Sequence, residues 1–244
     1  MLAVFYKEIN IFFGSLIGYI VIGVFLVFSG IVVWVMQSTS VFEYKYASME
    51  SFFNLAPILF TFLIPAITMR SFSEENQQKT MELLFTKPIS EWKLIFGKYF
   101  ANLTLVIIAV LPTLIYYISI YQLGAPKGNI DGGAVFGSYI GLVLLAAVYV
   151  SIGLFSSSVT NNQVVAFVLT VVLVVIVQWG FYALSQLPTF WGVWDDFIQK
   201  FGIDYHYNSI SKGLVDTRDI IYFLSVVAIF LVLTSYDIKA KKYK

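Results

Sequence analysis

The chain has 244 residues, of which 59% are hydrophobic and only 12% are charged. Because charged residues make up about a quarter of a typical soluble domain, this composition excludes an ordinary soluble protein and predicts an integral membrane protein. The net charge of +1 supplies no basic surface for nucleic acid, and the absence of cysteine excludes disulfide bonds and thiolate metal sites.

The chain begins with an amphipathic stretch. Apolar residues recur at helical spacing over residues 1–14, which is typical of a short interfacial helix that lies along a membrane. The apolar run that follows is too long for a signal-peptide core, and we expect it to be retained as a span. Six runs are long enough for a hydrocarbon layer of about 30 Å. The predicted spans are 16–36, 52–69, 99–121, 134–155, 164–184 and 219–236.

The expected architecture is an all-α membrane protein, with residues 1–244 forming a single transmembrane domain. The interiors of the predicted spans carry no Asp, Glu, Lys, Arg or His. Such residues mark proton relays and ion pathways, so their absence argues against a proton-driven carrier or pump. Gln178 is the one strong amide of the fifth span, and we expect it to form a hydrogen bond to another helix.

Positive charges are unevenly divided between the two sides of the membrane. With the N-terminus inside, ten of the fifteen Lys and Arg residues face the cytoplasm and five face outward. Excess Lys and Arg mark cytoplasmic loops, so we expect both termini and the polar segment 70–98 to be cytoplasmic.

The segment between the fifth and sixth spans, residues 185–218, is then external. Its aromatic residues alternate with acids, which predicts short helices lying on or dipping into the outer surface. His206 is the only histidine of the chain, so a metal motif with two histidines is excluded. We interpret it as an interfacial polar aromatic residue.

Segment 70–98 is the one long polar passage between apolar runs, and it is patterned as two amphipathic helices interrupted at Lys87-Pro88. Ser71 and Glu74 have capping-box spacing, which predicts a helix starting near residue 72. Glu75 and Lys79 stand four residues apart in the stabilising order. Ser90 is predicted to cap a second helix that continues into the third span. An apolar side would come from Phe72, Met81, Leu84 and Phe85.

Physical chemistry alone leaves two roles for this segment open. Its charged face and apolar ridge suit a groove in a partner protein, and they equally suit lipid headgroups. The chain has no phosphate-binding loop, because Gly97-Lys98 is followed by Tyr99 instead of Ser or Thr. The protein is therefore predicted not to be an ATPase itself, and any dependence on ATP must come from a partner.

The same segment resembles the first cytoplasmic loop of ABC-2-type transporter permeases. That family has G-T-x-E-x-L-L, then P-x-S, then a G-K pair that begins the third span; here Lys79 replaces the usual glycine before the threonine. Weaker similarities lie near the N-terminus, at Lys7-Glu8, and before the last span, at residues 211–219. The matching residues of the segment are Arg70, Glu74, Glu75, Gln78 to Leu84, Pro88 to Ser90, Lys93, Gly97 and Lys98.

The resemblance implies a permease subunit that binds no cofactor itself and pairs with a cytoplasmic ABC ATPase, which uses ATP and Mg²⁺. It also implies a second copy of the chain, or another membrane or substrate-binding-type subunit, within the lipid bilayer. Within the family, the chain is most similar to the gliding-motility permeases of Bacteroidetes. Pro88 and Ser90 would set the angle of the following helix. The residues expected to contact the ATPase are Glu74, Glu75, Lys79, Thr80, Glu82, Leu83 and Leu84.

Two other functions stay open. The first is a scaffold that passes ATPase-driven movement to envelope partners through the aromatic outer segment without moving a solute. The second is an intramembrane hydrolase, which would depend on His206 alone.

Overall fold

The computed structural model describes residues 1–44, 47–81, 90–188, 192 and 194–242, and these residues form helices joined by turns. Six helical segments are long and apolar enough to cross a membrane, which confirms the predicted all-α fold and the number of spans. They are Leu16–Trp34, Glu50–Gln77, Glu91–Leu123, Gly132–Val159, Gln163–Ser185 and Thr217–Lys242.

We number the α-helices in chain order. The N-terminal half contains α1 (Leu2–Phe13), α2 (Leu16–Trp34), α3 (Val41–Tyr44), α4 (Glu50–Thr68), α5 (Ser73–Gln77), α6 (Glu91–Val110) and α7 (Leu114–Leu123). The C-terminal half contains α8 (Gly132–Val159), α9 (Gln163–Val175), α10 (Phe181–Ser185), α11 (Asp195–Gln199), α12 (Ile203–Ile210) and α13 (Thr217–Lys242).

Two spans are locally irregular. Pro112 has no backbone N–H, and the third span tightens there into a 3₁₀ turn, Leu111–Thr113, between α6 and α7. The fifth span contains a π-helical segment, Ile176–Gly180, between α9 and α10. Asp131 and Asn162 cap the starts of α8 and α9, since each side chain accepts hydrogen bonds from two backbone N–H groups of the first turn.

The fourth span, α8, lies at the centre of the bundle. It packs against α4, α9 and α13, and most of its length is buried. Gly153 brings α8 against α4, because a Cβ atom there would lie 2.1 Å from Thr68 Oγ1. At the other end of α8, Gly137 packs against the backbone of Gly213, whose φ of +83° is one that glycine adopts readily.

One end of the bundle gathers both chain termini and the polar segment. Helix α1 packs along α6, and Lys242 near the end of α13 pairs with Glu91 at the start of α6, at 3.2 Å. Lys241 Nζ donates to the carbonyl oxygen of Ser158, in the last turn of α8. The parts of the chain that the charge count assigns to the cytoplasm therefore lie together.

The opposite end carries the short helices α11 and α12. Helix α12 buries Ile203, Tyr207 and Ile210, and the Tyr207 hydroxyl donates to the carbonyl oxygen of Phe53 at 2.7 Å. Helix α12 is therefore held against the end of the second span that lies away from the polar segment.

Candidate functional site

The polar segment does not begin with the predicted capping box. Helix α5 starts at Ser73 with Phe72 at its N-cap, and no side chain of the cap residue bonds to the helix. The hydroxyl of Ser71 instead accepts from Asn102 Nδ2 of α6 at 2.8 Å. The prediction of a local Ser71–Glu74 cap is wrong because the Ser71 hydroxyl is occupied by another helix.

The cap of α5 comes from the fourth span. Ser157 Oγ accepts from the backbone N–H groups of Phe72 and Ser73, at 2.9 and 3.0 Å, and donates to the carbonyl oxygen of Met69 at 3.1 Å. Ser157 is fully buried. One hydroxyl thus supplies the acceptor for two backbone N–H groups at the turn between α4 and α5, and it shares the Met69 carbonyl oxygen with the Ser73 hydroxyl.

Two further side chains fasten the segment to the turn between the fourth and fifth spans. Asn76 Nδ2 donates to the carbonyl oxygens of Ser158 and Thr160, at 2.9 and 3.0 Å. Arg70 Nε donates to Gln163 Oε1 at 3.2 Å. The described part of the segment, residues 70–81, is therefore bound to the ends of three spans and is not a free loop.

A group of four charged residues lies beneath α5, and we call it the charge cluster: Lys7, Glu8, Glu75 and Lys98. Lys98 Nζ lies 2.7 Å from Glu8 Oε1 and 3.0 Å from Glu75 Oε1, and Lys7 Nζ lies 2.9 Å from the same Glu75 oxygen. The side chain of Lys98 is 1% exposed and that of Glu75 is 10% exposed. Two lysines balance two glutamates, so the cluster has no net charge.

The Lys98 ammonium group has two further contacts besides the carboxylates. Its Nζ donates to the carbonyl oxygen of Ser71 at 2.5 Å and lies 4.9 Å from the centre of the buried Phe72 ring. Burial of an unpaired ammonium is costly, so these contacts and the two carboxylates are what allow the charge to be buried. The cluster joins α1, the α4–α5 turn, α5 and α6 into one unit.

Lys7 lies at the edge of the cluster. Burial lowers the pKa of Lys7, but its hydrogen bond to Glu75 and the nearby carboxylates outweigh burial, and the pKa is raised above its ordinary value. The pairing therefore stabilises the fold below the ordinary lysine pKa, and that stabilisation is lost as the pH rises through the raised value.

Gly97 lets α1 reach the cluster. A Cβ atom at Gly97 would lie 3.0 Å from Val4 Cβ and 3.1 Å from the Met1 carbonyl oxygen. The Gly97-Lys98 pair was predicted only to begin the third span. In the structure, Gly97 leaves room for α1 to pack closely, and Lys98 binds α1 through Glu8. Helix α6 begins at Glu91, which agrees with the prediction of a helix that follows Ser90 and continues into the third span.

The structure places the predicted docking residues in different environments. Glu74 is half-buried, and its carboxylate accepts from Gln78 Nε2 at 3.4 Å. Glu75 is buried in the charge cluster, so the predicted Glu75–Lys79 pair is wrong: Glu75 binds Lys7 and Lys98 instead. Phe72 and Met81, expected on an exposed apolar ridge, are buried in the core. Glu82, Leu83, Leu84, Pro88 and Phe85 lie outside the described residues.

Ser90 stands at the N-cap position of α6, as predicted, but its hydroxyl makes no capping hydrogen bond and it is exposed. Thr80 is half-buried, with its hydroxyl 3.4 Å from the carbonyl oxygen of Glu75. Lys79 is exposed and has a φ of +55°. The left-handed backbone at Lys79 explains why the resembling family has glycine at this position.

Replacing Lys79 with glycine is expected to stabilise the turn after α5. A non-glycine residue in the left-handed conformation costs roughly 1–2 kcal/mol of folding free energy. Because glycine has more conformational freedom in the unfolded chain, part of this gain is lost, and we expect the free energy of unfolding to rise by up to about 1 kcal/mol. The measurement is thermal unfolding of the purified protein in detergent. Gln78→Gly is the control, because Gln78 has a φ of −82° and should lose stability on the same change.

Gln178 forms the interhelical hydrogen bond that was predicted for it. Its Oε1 accepts from the buried Tyr149 hydroxyl of α8 at 3.0 Å, within the π-helical segment. Among the described residues, no group of three or more His, Cys, Asp or Glu residues could hold a metal ion.

Comparison with known proteins gives one finding. The family model described as "ABC-2 family transporter protein" matches residues 32–236, which include the polar segment, four of the six spans in full and most of the sixth. A search of curated proteins found no match.

Proposed function

Because the chain belongs to the ABC-2 family of transporter proteins, it is a membrane-spanning subunit of an ABC transporter, and we propose that it couples ATP hydrolysis by a separate subunit to work across the membrane. The observation that carries the proposal is the charge cluster. The cluster binds α5 to α1 and to the third span, at the end of the bundle that holds both termini. Helix α5 belongs to the segment that would meet the ATPase.

Movement imposed on segment 70–98 would pass to the spans through bonds that the described residues supply. Ser157 binds the α4–α5 turn to the fourth span, Asn76 binds α5 to the turn before the fifth span, and Lys98 binds α5 to the third. Because packed interiors deform little, a push on α5 displaces these helix ends together. ATP and Mg²⁺ are used in the ATPase subunit, which faces the cytoplasm in this proposal.

The docking surface is formed by the outer side of the segment. Lys79 is exposed and Glu74 and Thr80 are half-buried, and the chain continues from them into Glu82, Leu83 and Leu84. We assign these residues to contact with the ATPase and place Glu75 in a positioning role, because its carboxylate faces Lys98 and Lys7. Pro88 and Ser90 set the direction in which α6 begins.

The wider machine is proposed from the sequence resemblance. We propose that, within the family, the chain is most similar to the gliding-motility permease GldF of Bacteroidetes, and that the transporter serves gliding motility in the bacterial inner membrane. A second copy of the chain, or a related membrane or substrate-binding-type subunit, completes it. The lipid bilayer surrounds the six spans.

The docking assignment is tested by a variant that spares the charge cluster. We expect Lys79→Ala, Glu82→Ala and Leu84→Ala combined to reduce co-purification of the ATPase subunit about tenfold or more in mild detergent, since contacts central to an interface each contribute more than 1 kcal/mol. The ATPase is identified in the wild-type preparation by mass spectrometry. Lys93→Ala, an exposed change on the first turn of α6, is the matched control. Unchanged co-purification of the triple variant would reject the docking surface and leave the cluster untouched.

A second candidate function is the membrane scaffold. The outer end presents exposed aromatic side chains on and beside α11, with Trp194 57%, Phe197 53% and Phe201 51% exposed. Such a surface suits an envelope partner as well as lipid headgroups. In proteoliposomes, ATPase activity that accompanies solute movement favours the transporter, whereas activity that responds only to an added envelope partner favours the scaffold.

A further inference from the structure

The single histidine of the chain is bonded through both of its ring nitrogens. His206 Nδ1 lies 2.7 Å from Asp219 Oδ1, in the first turn of α13, and Nε2 lies 3.0 Å from the carbonyl oxygen of Lys200, in the turn before α12. The side chains of His206 and Asp219 are 13% and 10% exposed. The imidazole therefore bridges two chain segments at the outer end of the bundle.

Both partners of the imidazole are hydrogen-bond acceptors. A backbone carbonyl can only accept, so Nε2 must carry a proton, and an ionised carboxylate can only accept, so Nδ1 must carry one as well. Loss of one proton would leave a ring lone pair facing a carboxylate oxygen at 2.7 Å. A neutral imidazole with an ionised carboxylate has one proton too few for this arrangement. The additional proton is held by the imidazole, because imidazole is a stronger base than a carboxylate.

We propose that His206 and Asp219 form a proton-binding site that fastens the outer helices to the sixth span. The imidazole stacks on the Tyr222 ring of α13, with centres 3.9 Å apart, and the Tyr222 hydroxyl donates to the carbonyl oxygen of Phe201 at 2.6 Å. The turn between α11 and α12 is therefore held to α13 by two adjacent links. Of these two links, only the one through His206 depends on a proton that an imidazole can bind or release.

The other groups around the imidazole do not supply a competing charge. Asp219 and Tyr222 face it from α13, Tyr205 packs edge-on against it from its own helix, and the segment after α11 presents the Lys200 carbonyl. Release of the proton would leave the Asp219 carboxylate, at 10% exposure, without its cationic partner. Rising pH is therefore expected to loosen the turn between α11 and α12 from the sixth span.

The geometry also bears on the hydrolase alternative. A hydrolytic histidine needs a free nitrogen directed at a nucleophile, usually a serine or a water. Nε2 of His206 instead faces the Lys200 carbonyl, which cannot give up a proton. His206 therefore has no nitrogen available to act as a general base in this arrangement.

The test uses the fact that the chain contains one histidine. ¹⁵N labelling of histidine gives a single imidazole, whose protonation is read by NMR of the full chain in detergent micelles. We expect both ring nitrogens to be protonated at pH 7, because both face acceptors, and the imidazole to hold its second proton to a higher pH than it does in Asp219→Asn, which lacks the carboxylate. Asp216→Asn, which removes an exposed acid three residues earlier, should leave the titration unchanged.

A neutral imidazole at pH 7 in the wild-type protein would overturn the proposal, and that spectrum decides the matter even if Asp219→Asn fails to fold. Identical titration of the wild type and Asp219→Asn would overturn it too. The mechanical consequence is checked with a spin label at Asp196→Cys on α11, in a chain without other cysteines. Label mobility should rise with pH as the proton is lost, and should be high at every pH in His206→Gln.

Discussion

Replacing Lys98 with methionine is expected to destabilise the protein by about 3–5 kcal/mol, because it removes one partner of a buried charge group and leaves two carboxylates behind. Glu8 and Glu75 lie 2.7 and 3.0 Å from Lys98 Nζ, and only Lys7, at the half-exposed edge of the cluster, would remain to balance them. Methionine keeps most of the side-chain volume, so the loss reports the charge rather than a cavity. Thermal and denaturant unfolding in detergent measure it.

Neutralising the carboxylates together with the lysine tests whether the lost stability comes from unpaired charge. Lys98→Met combined with Glu8→Gln and Glu75→Gln removes the unpaired charges and should recover a large part of the lost stability. Lys93→Met is the control on the same helix, since Lys93 is exposed and its replacement should cost less than about 0.5 kcal/mol. If Lys98→Met and Lys93→Met had similar effects, the cluster would not contribute to stability as described.

Ser157→Ala is expected to detach the start of the polar segment at a cost of about 2–4 kcal/mol. The change leaves the N–H groups of Phe72 and Ser73 without an acceptor, and each buried unsatisfied group costs about 1–3 kcal/mol. Because Ser157 joins the α4–α5 turn to the fourth span, we also expect faster hydrogen exchange at residues 72–77. Unfolding in detergent and hydrogen–deuterium exchange measure the two effects.

Ser156 supplies a matched control for Ser157. It is equally buried, it precedes Ser157 in the same helix, and its hydroxyl donates only to the carbonyl oxygen of Ile152 within α8. Ser156→Ala should therefore cost less than about 1 kcal/mol and leave exchange of α5 unchanged. Equal effects of the two substitutions would contradict the assignment of Ser157 as the cap of α5.

The spans were predictable from the sequence because a long apolar run is a local property. All six predicted spans overlap the observed helices, and the predicted bond of Gln178 is present because an amide inside a span has few partners other than a neighbouring helix. The third span begins at Glu91, in agreement with the helix that was predicted to follow Ser90 and to continue into this span.

The arrangement of the polar segment was not predictable, because its partners are distant in sequence. Spacing suggested local pairs for Ser71 and Glu75, whereas the structure pairs them with Asn102 and Lys98 and takes the cap from Ser157. Lys98 looked like a positive charge at a membrane edge, and nothing in its neighbours signalled burial. The family resemblance did carry one hint, since the glycine expected at residue 79 corresponds to the left-handed backbone of Lys79.

We expect the polar segment to move with the spans as one unit when the ATPase binds nucleotide. This movement is tested most directly by distances between pairs of spin labels, in the complex with the ATPase, before and after adding a non-hydrolysable ATP analogue. Gln77→Cys with Phe100→Cys reports within the unit, because both residues are exposed and flank the cluster on α5 and α6. Gln77→Cys with Asp196→Cys reports from the unit to the outer end.

We predict that nucleotide changes the Gln77–Asp196 distance and leaves the Gln77–Phe100 distance unchanged. A change in the Gln77–Phe100 distance would mean that α5 moves without the third span, and no change in either distance would mean that no movement is transmitted. Either result would contradict the coupling role of the cluster.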